Sequence, residues 1–148
     1  MKVVIQRVLY AKVKVNREEI STIGRGLLIL AGFKKNEKEG DLQRVAQKIV
    51  NLRIFEDSEG KMNLSVKDIG GEILCVSQFT LYARVKKGRR PSFDDTEIPE
   101  KAKKLYEIFC QLIEREGVIV KRGIFGAFMN IEFVNSGPVT IVLDSQEL

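Results

Sequence analysis

Glu72-Ile-Leu-Cys-Val-Ser-Gln-Phe-Thr-Leu-Tyr82 is the stretch from which the arrangement of the whole chain can be worked out. Its first half, residues 73–76, is a continuous apolar run, which predicts a strand buried on both faces. Its second half alternates polar and apolar residues, so we predict that the strand continues to Tyr82. Polar groups at the end of a buried strand are costly unless they meet a partner or solvent. We therefore expect a cleft beside Ser77, Gln78 and Thr80.

The flanking sequence predicts the remaining strands and two helices. Residues 2–15 alternate as a long strand, and tight turns lead to strands over residues 20–23 and 26–33, which together indicate an antiparallel meander. Apolar residues at helical spacing predict one helix ending near Asn51, with Asn36 and Glu39 as its capping pair, and a second beginning at Pro99 and ending before Gly117. Further short strands are predicted over residues 52–55, 118–121, 127–134 and 139–143.

These elements predict an α+β fold. We expect one domain spanning residues 1–148, in which a mostly antiparallel, curved or barrel-like sheet packs with the two main helices. The chain is 44% hydrophobic, which is enough for one core, and it has no apolar stretch long enough to span a membrane and no signal-peptide pattern. The expectation is a soluble, cytoplasmic protein.

Composition excludes several kinds of catalytic site. The chain contains no histidine, so it has no Ser-His-Asp or Cys-His arrangement and no histidine metal site. Its two cysteines, Cys75 and Cys110, lie among apolar neighbours and are expected to be reduced core thiols. We therefore expect neither a metal ion nor a cofactor.

A basic run follows the central stretch. The net charge is +5, and residues 84–90 contain five cations around one glycine. Such a run is often only a solvated loop. Its position directly after the polar strand end favours a role at the rim of the cleft, where Lys and Arg would contact nucleic-acid phosphates. The residues predicted to bind RNA are Lys86, Lys87, Arg89 and Arg90.

Two further segments carry possible chemistry. A Gly137-Pro138 step between strands is most often a simple turn, but neighbouring carbonyl oxygens there can also form a receptor for an ammonium group. Ser77 and Thr80 are weak nucleophiles without a nearby base, so ordinary hydrogen-bonded strand hydroxyls remain an alternative. Backbone N–H groups near Phe79 and Thr80 can stabilise an oxyanion without any titratable group.

Several of these segments resemble the D-aminoacyl-tRNA deacylase family. The central ones are Ser77-Gln-Phe-Thr-Leu81, Arg90-Pro-Ser-Phe93 and Asn135-Ser-Gly-Pro-Val-Thr140. Similar segments occur from one end of the chain to the other: Val4-Ile-Gln-Arg-Val8, Leu52-Arg-Ile-Phe-Glu-Asp57, Lys61-Met-Asn-Leu-Ser65 and Phe125-Gly-Ala127. The resemblance therefore covers the whole sequence.

The resemblance implies an editing enzyme that hydrolyses the ester of D-aminoacyl-tRNA, and of glycine attached to the wrong tRNA. It implies a homodimer in which Gly137 and Pro138, joined by a cis bond, reach into the partner's pocket and reject L-amino acids. Either Thr80 or the ribose 2′-hydroxyl of the tRNA drives hydrolysis, and the absence of histidine favours the hydroxyl. The implied catalytic segment is Ser77, Gln78, Phe79 and Thr80, and Leu81 and Met129 line the pocket with the Gly-Pro step.

Two other functions compete with this one. The first is an RNA-binding module without catalysis, which uses the basic loop. The stacking platform expected of such a module is missing from the sequence, where aromatics are 7% and mostly at core spacing. The second is a small-molecule hydrolase, for which the sequence offers no base, metal or activated nucleophile.

Overall fold

The computed structural model describes residues 1–86 and 88–148. Eight strands and two α-helices follow in the order β1 (Lys2–Val15), β2 (Glu18–Ile23), β3 (Gly26–Gly32), α1 (Glu39–Asn51), β4 (Phe55–Glu56), β5 (Met62–Leu64), β6 (Glu72–Ser77), α2 (Pro99–Arg115), β7 (Ile119–Arg122) and β8 (Asn130–Asp144). Short 3-10 helices cover Phe79–Tyr82 and Ser145–Glu147. The predicted α+β class, with two helices and a barrel-like sheet, is confirmed.

β1 is the strand that holds the sheet together. β8 runs antiparallel to β1 from Lys2 to Lys14, while β3 pairs antiparallel with its first half and β2 with its second half. Because β8 takes one edge of β1 throughout, β2 and β3 share the other edge. The predicted meander is therefore wrong, since β3 returns to β1 and not to β2. A strand of 14 residues offers a full edge to two shorter partners.

The sheet is mixed, because β3 pairs parallel with β6, and β6 pairs parallel with β7. Parallel neighbours need long crossovers, and here α1 and α2 lie within them. The Ser21 hydroxyl donates to the Arg122 carbonyl oxygen at 2.6 Å, which links β2 to β7 and nearly closes the barrel. A separate hairpin of β4 and β5 lies in the first crossover.

Two apolar clusters fill the two faces of this sheet. The larger cluster joins the inward faces of α1 and α2 to alternate residues of β1, β3 and β6. The smaller cluster lies on the opposite face, where Leu28 packs with Leu74 and Val76. Residues 73–76 are all buried, which confirms a strand covered on both faces. Residues 73–76 of β6 are thus fixed by packing from both sides.

α1 ends at Asn51 as predicted, but its N-terminal cap differs from the prediction. The N-cap is Lys38, and the Asp41 carboxylate accepts a hydrogen bond from its backbone N–H at 3.4 Å. The predicted capping pair of Asn36 and Glu39 is wrong, because Asn36 adopts a left-handed conformation (φ +63°) in the preceding turn. The ends of α2 are as predicted, from Pro99 to just before Gly117.

Two further boundaries were predicted wrongly. The strand expected over residues 52–55 covers only Phe55–Glu56. β8 is one strand from Asn130 to Asp144, so residues 135–138 do not divide it into two. They form a bulge instead: Gln6 faces Thr140 and Val8 faces Asn135, so β8 has three more residues here than β1. No helix in the described part of the chain, residues 1–86 and 88–148, is long and apolar enough to cross a membrane.

Candidate active site

A cleft of about 700 Å³ opens at the carboxyl ends of the parallel strands β3 and β6. Crevices outside the carboxyl ends of parallel strands are common ligand sites. The cleft is bounded by the end of β6, the segment before α2, the first turns of α2, and the chain around the start of β8. The cleft predicted beside Ser77 and Gln78 is present.

β6 ends at Ser77, and the chain turns there into the 3-10 helix Phe79–Tyr82. The Gln78 N–H donates to the Ala31 carbonyl at 2.8 Å, and β3 then ends at Gly32. Residues after Gln78 therefore have no strand of β3 to pair with. A side chain at Gly32 would come within 2.8 Å of the Gln78 carbonyl oxygen, so glycine permits this approach. The predicted strand to Tyr82 is therefore wrong, and Tyr82 is buried while Thr80 is exposed.

The polar side chains of this segment are paired locally. The Gln78 amide donates to the Thr80 hydroxyl oxygen at 2.5 Å, and both lie at the surface. Among the predicted catalytic residues, Ser77, Gln78 and Phe79 line the cleft. Thr80 and Leu81 belong to the same 3-10 turn but do not line it. The structure thus brings the backbone of the segment to the cleft and turns the Thr80 side chain toward solvent.

The site has no histidine, and the carboxylates that line the cleft are Asp94 and Glu97, of which Glu97 accepts a hydrogen bond from the Ile98 N–H at 2.9 Å. Burial raises the pKa of the Tyr82 phenol well above its usual range, so that group stays protonated. The Cys75 thiol is fully buried two residues before Ser77, and its hydrogen bond with Cys110 and its burial raise its pKa. Both cysteines are free thiols, as predicted. In residues 1–86 and 88–148 no cluster of Cys, Asp or Glu has the size needed to hold a metal ion.

Phenylalanines form much of the cleft wall. Phe79 meets Phe93 edge to face, with 4.9 Å between the ring centroids, and Phe125 and Phe128 contribute from the chain before β8. Phe128 is 86% exposed and Phe79 is 54% exposed, so both rings offer faces to a ligand. The sequence analysis placed the aromatic residues mostly in the core, whereas these rings are exposed at the cleft. Folding brings them together from positions up to 49 residues apart in the chain (Phe79 and Phe128).

Gly137 and Pro138 lie outside this cleft. Their peptide bond is cis, as the resemblance implied, and Gly137 has a φ of +120°. A Cβ at Gly137 would lie 2.7 Å from Nη2 of Arg7. Arg7 also donates from Nε to the Ser136 carbonyl at 3.1 Å and lines a separate pocket of about 200 Å³. Within one chain, therefore, the Gly-Pro step and the Ser77–Phe79 segment are not brought together.

Met129 lines the cleft, as predicted, and packs against Gly123. The basic run forms a loop, and its described cations Lys86, Arg89 and Arg90 are exposed. Lys87, also predicted to bind RNA, lies outside the described residues. Sequence reasoning missed Lys35, which lines the cleft, and the buried Arg7 beneath the Gly-Pro step. Neither residue lies in a local pattern that would single it out.

Comparisons with known proteins agree with this arrangement. The family model described as D-Tyr-tRNA(Tyr) deacylase matches residues 4–144. A D-aminoacyl-tRNA deacylase of Aquifex aeolicus (strain VF5) is 52% identical over 148 residues, which cover all of both chains. A D-aminoacyl-tRNA deacylase of Thermotoga petrophila is 51% identical, over all of this chain and 99% of its own.

Among solved structures, one titled "c-Myc DNA Unwinding Element Binding Protein" superposes with a TM-score of 0.91 at 44% identity, covering 97% of this chain and 98% of that one. The segments that form the cleft and the Gly-Pro bulge all fall inside the matched range of residues 4–144. On this evidence the chain belongs to the D-Tyr-tRNA(Tyr) deacylase family.

Proposed function

We propose that the protein hydrolyses the ester bond of D-aminoacyl-tRNA and releases free tRNA and the D-amino acid. The observation that carries the proposal is the aromatic cleft at the end of β6, which has the Ser77–Phe79 segment in its wall and the basic loop nearby in the chain. Relatives of the same length at 52% identity are named for this reaction. Aminoacyl-tRNA is made in the cytoplasm, where we place the enzyme.

Its exposed aromatic rings and the cations nearby support the proposal that the cleft takes the 3′ end of a tRNA. Exposed phenylalanine faces stack on any base, so Phe79 and Phe128 would hold the terminal adenine. Polar groups from Ser77 and Gln78 then lie beside the ribose and the ester. The exposed cations Lys86, Arg89 and Arg90, with Lys87, would contact the backbone phosphates of the acceptor end.

The chemistry follows from what the site contains. The cleft has no histidine and its carboxylates, Asp94 and Glu97, lie in the segment before α2, so the proposal gives the main role to orientation of the ester beside the ribose 2′-hydroxyl, which assists the attacking water. Backbone N–H groups of Phe79 and Thr80 would stabilise the oxyanion that develops at the ester carbonyl. Thr80 then serves through its backbone, because its hydroxyl faces solvent and accepts from Gln78.

Chirality would be read by a second copy of the chain. In one chain Gly137 and Pro138 lie away from the cleft, so a homodimer that places them in the partner's cleft would complete the site. Their carbonyl oxygens would hold the α-ammonium, and their backbone would clash with an L side chain while admitting glycine. Met129 would line the rest of that pocket, whereas Leu81, the other residue predicted there, lies outside the cleft lining. Glycine carried by the wrong tRNA would then be removed as well.

The first experiment compares D-tyrosyl-tRNA with L-tyrosyl-tRNA, with and without a chelator. We expect fast loss of the D-ester alone, unaffected by the chelator. Hydrolysis of both esters at one rate would contradict the chirality proposal. If neither ester is cleaved but tRNA still binds, the second candidate applies: a nucleic-acid-binding module without chemistry, favoured by the 86% exposure of Phe128 at the cleft.

The shared site can be tested by mixing two inactive variants. Gly137→Ala spoils the Gly-Pro step, and Ala127→Trp fills the cleft, which Ala127 lines. A mixed dimer would contain one intact cleft facing one intact Gly-Pro step. Random exchange should then restore about a quarter of wild-type activity, because half of the dimers are mixed and each has one of two sites. No recovery in mixtures shown to exchange would place both motifs in the same subunit's site.

A further inference from the structure

The ion pair between Arg84 and Asp95 stands at the base of the basic loop. The Arg84 guanidinium donates from Nε and Nη2 to the two carboxylate oxygens of Asp95, at 2.5 and 2.6 Å. This two-point contact fixes the angle between the groups as well as their distance. Arg84 is therefore committed to Asp95, whereas no ion pair to another described residue is found for Lys86, Arg89 or Arg90.

The main chain closes the loop at the same place. The Arg84 N–H donates to the Ser92 carbonyl at 2.8 Å, and the Ser92 N–H donates back to the Arg84 carbonyl at 3.1 Å. These two bonds define the ends of the loop that contains Lys86, Arg89 and Arg90. The ion pair thus adds a side-chain contact to a loop that is already closed at its neck.

Asp95 is itself fixed to the wall of the cleft. Its carbonyl accepts from the Lys35 N–H at 3.0 Å, and the Glu97 N–H donates to the Phe33 carbonyl at 3.1 Å, so this segment pairs with the chain that follows β3. Two residues before Asp95, Phe93 packs against Phe79. A rigid path therefore connects the cleft wall, through Asp95 and Arg84, to the neck of the basic loop.

We propose that the Arg84–Asp95 pair is a positioning device. It holds the cations of the loop at a fixed position relative to the cleft, where they contact the phosphates of the tRNA acceptor end. The inference rests on the proposed function and assigns Arg84 and Asp95 a part in it. Neither residue touches substrate. They act by holding Lys86, Arg89 and Arg90 at the place where the sugar-phosphate backbone of the bound tRNA leaves the cleft.

Asp95→Asn separates this role from simple charge. The substitution raises the local positive charge, and electrostatics alone would strengthen tRNA binding. Loss of the clamp, by which we mean the Arg84–Asp95 ion pair, should instead weaken tRNA binding, because the loop cations are no longer held in place. Both side chains are well exposed (60% and 43%), so the effect is modest, and we expect KM for D-tyrosyl-tRNA to rise about twofold to fivefold with kcat unchanged.

Two comparison variants fix the interpretation. Glu100→Gln removes the same charge from an exposed residue at the start of α2, outside both the ion pair and the cleft lining, and KM should not rise. Arg84→Lys keeps the charge but loses the two-point contact, so its KM should rise as in Asp95→Asn. The double variant Arg84→Lys/Asp95→Asn should be no worse than either single variant, because both remove one interaction.

The decisive measurement is KM and kcat for all four variants at two salt concentrations. Binding of an acceptor-stem RNA minihelix that carries no amino acid is measured in parallel. A KM for Asp95→Asn at or below the wild-type value, or a rise matched by Glu100→Gln, would overturn the clamp and leave the proposed function standing. Failure of wild type to hydrolyse the D-ester would overturn the proposed function. The minihelix affinities would then test the clamp alone. Equal affinities of wild type and Asp95→Asn for the minihelix, or no binding by wild type, would overturn the clamp as well.

Discussion

Arg7 holds Ser136 from inside the same chain: its Nε donates to the Ser136 carbonyl at 3.1 Å. Its Nη1 donates to the Ile54 carbonyl at 2.7 Å, and Glu56 lies 3.8 Å from its Nη2. The side chain is only 8% exposed, so these contacts are protected from water. One guanidinium thus fixes the bulge of β8 against the turn before β4, and the Gly-Pro step directly follows the fixed residue.

Arg7→Lys should loosen this bulge without removing the charge. A lysine cannot donate to both carbonyls in the planar geometry of a guanidinium. We expect the free energy of unfolding to fall by about 1.5–3 kcal/mol, the usual range for hydrogen bonds to charged groups. Urea unfolding measures this change. An unchanged midpoint would show that Arg7 does not hold the bulge in place.

Gly137→Ala should reduce turnover at least tenfold. A Cβ there meets Nη2 of Arg7 at 2.7 Å and Val139 at 3.0 Å, in a conformation with φ of +120°. Left-handed strain alone costs about 1–3 kcal/mol. Gly60→Ala is the matched control, since it has a φ of +76° and nothing within 4 Å. It should lower stability but not the deacylation rate, and equal rate loss in both variants would contradict a role for the Gly-Pro step.

Thr80→Ala should retain substantial activity. The Thr80 hydroxyl faces solvent, accepts from Gln78, and has no base beside it. If orientation and backbone donors drive hydrolysis, kcat should fall by less than about tenfold, which corresponds to about 1.4 kcal/mol of barrier. Single-turnover deacylation measures this directly. Near-complete loss of activity with folding and tRNA binding intact would make Thr80 the nucleophile.

Phe128→Ala should weaken substrate binding more than chemistry. Stacking of a base on an aromatic ring contributes about 1–3 kcal/mol, so KM should rise at least fivefold with little change in kcat. Ile119→Ala is a suitable control, because Ile119 is an apolar residue on β7 that is 61% exposed and does not line the cleft. If KM stays at the wild-type value in both variants, the terminal base does not stack on Phe128.

Asp68 gives the fold a dependence on pH in the acid range. Its carboxylate accepts from the Ser65 N–H at 2.8 Å and the Ser65 hydroxyl at 2.7 Å, and these bonds lower its pKa below the usual 3.8. The stabilisation is therefore present above pH 3.8 and is lost as the pH falls through the lowered pKa. Asp68→Asn should have a lower melting temperature than wild type near pH 6, and the difference should shrink as the pH falls below 3.8. A difference that stays constant over that range would contradict this.

The elements that local pattern predicts best are those that packing also favours. Both helices and the buried start of β6 were predicted because their apolar residues have a clear period. The mixed sheet was not predicted, although β3–α1–β6 and β6–α2–β7 both have the form of a strand, a helix and a parallel strand. Continuous apolar runs such as those of β3 and β6 are typical of parallel strands. In the sequence analysis these runs served only to predict that the strands are buried.

The errors at the site have a common physical cause. The alternation after Ser77 fits a strand, but β3 ends at Gly32 and leaves no partner for one. The bulge of β8 depends on its register with β1, which local sequence does not contain. The aromatic cleft gathers Phe79, Phe93 and Phe128 from three segments. Each of these features is decided by contacts between distant parts of the chain.

The pairing of β1 with β8 also sets when the enzyme becomes complete during synthesis. Lys2 pairs with Asp144, so β1 cannot complete its pairing until β8 has been synthesised. A nascent chain that has released β1 to β7 from the ribosome still lacks Ile131 of the cleft wall and the Gly-Pro bulge. Until β8 emerges, one edge of β1 stays exposed, and an unpaired edge is prone to wrong pairing. We therefore expect editing activity only after β8 has been made and has paired with β1.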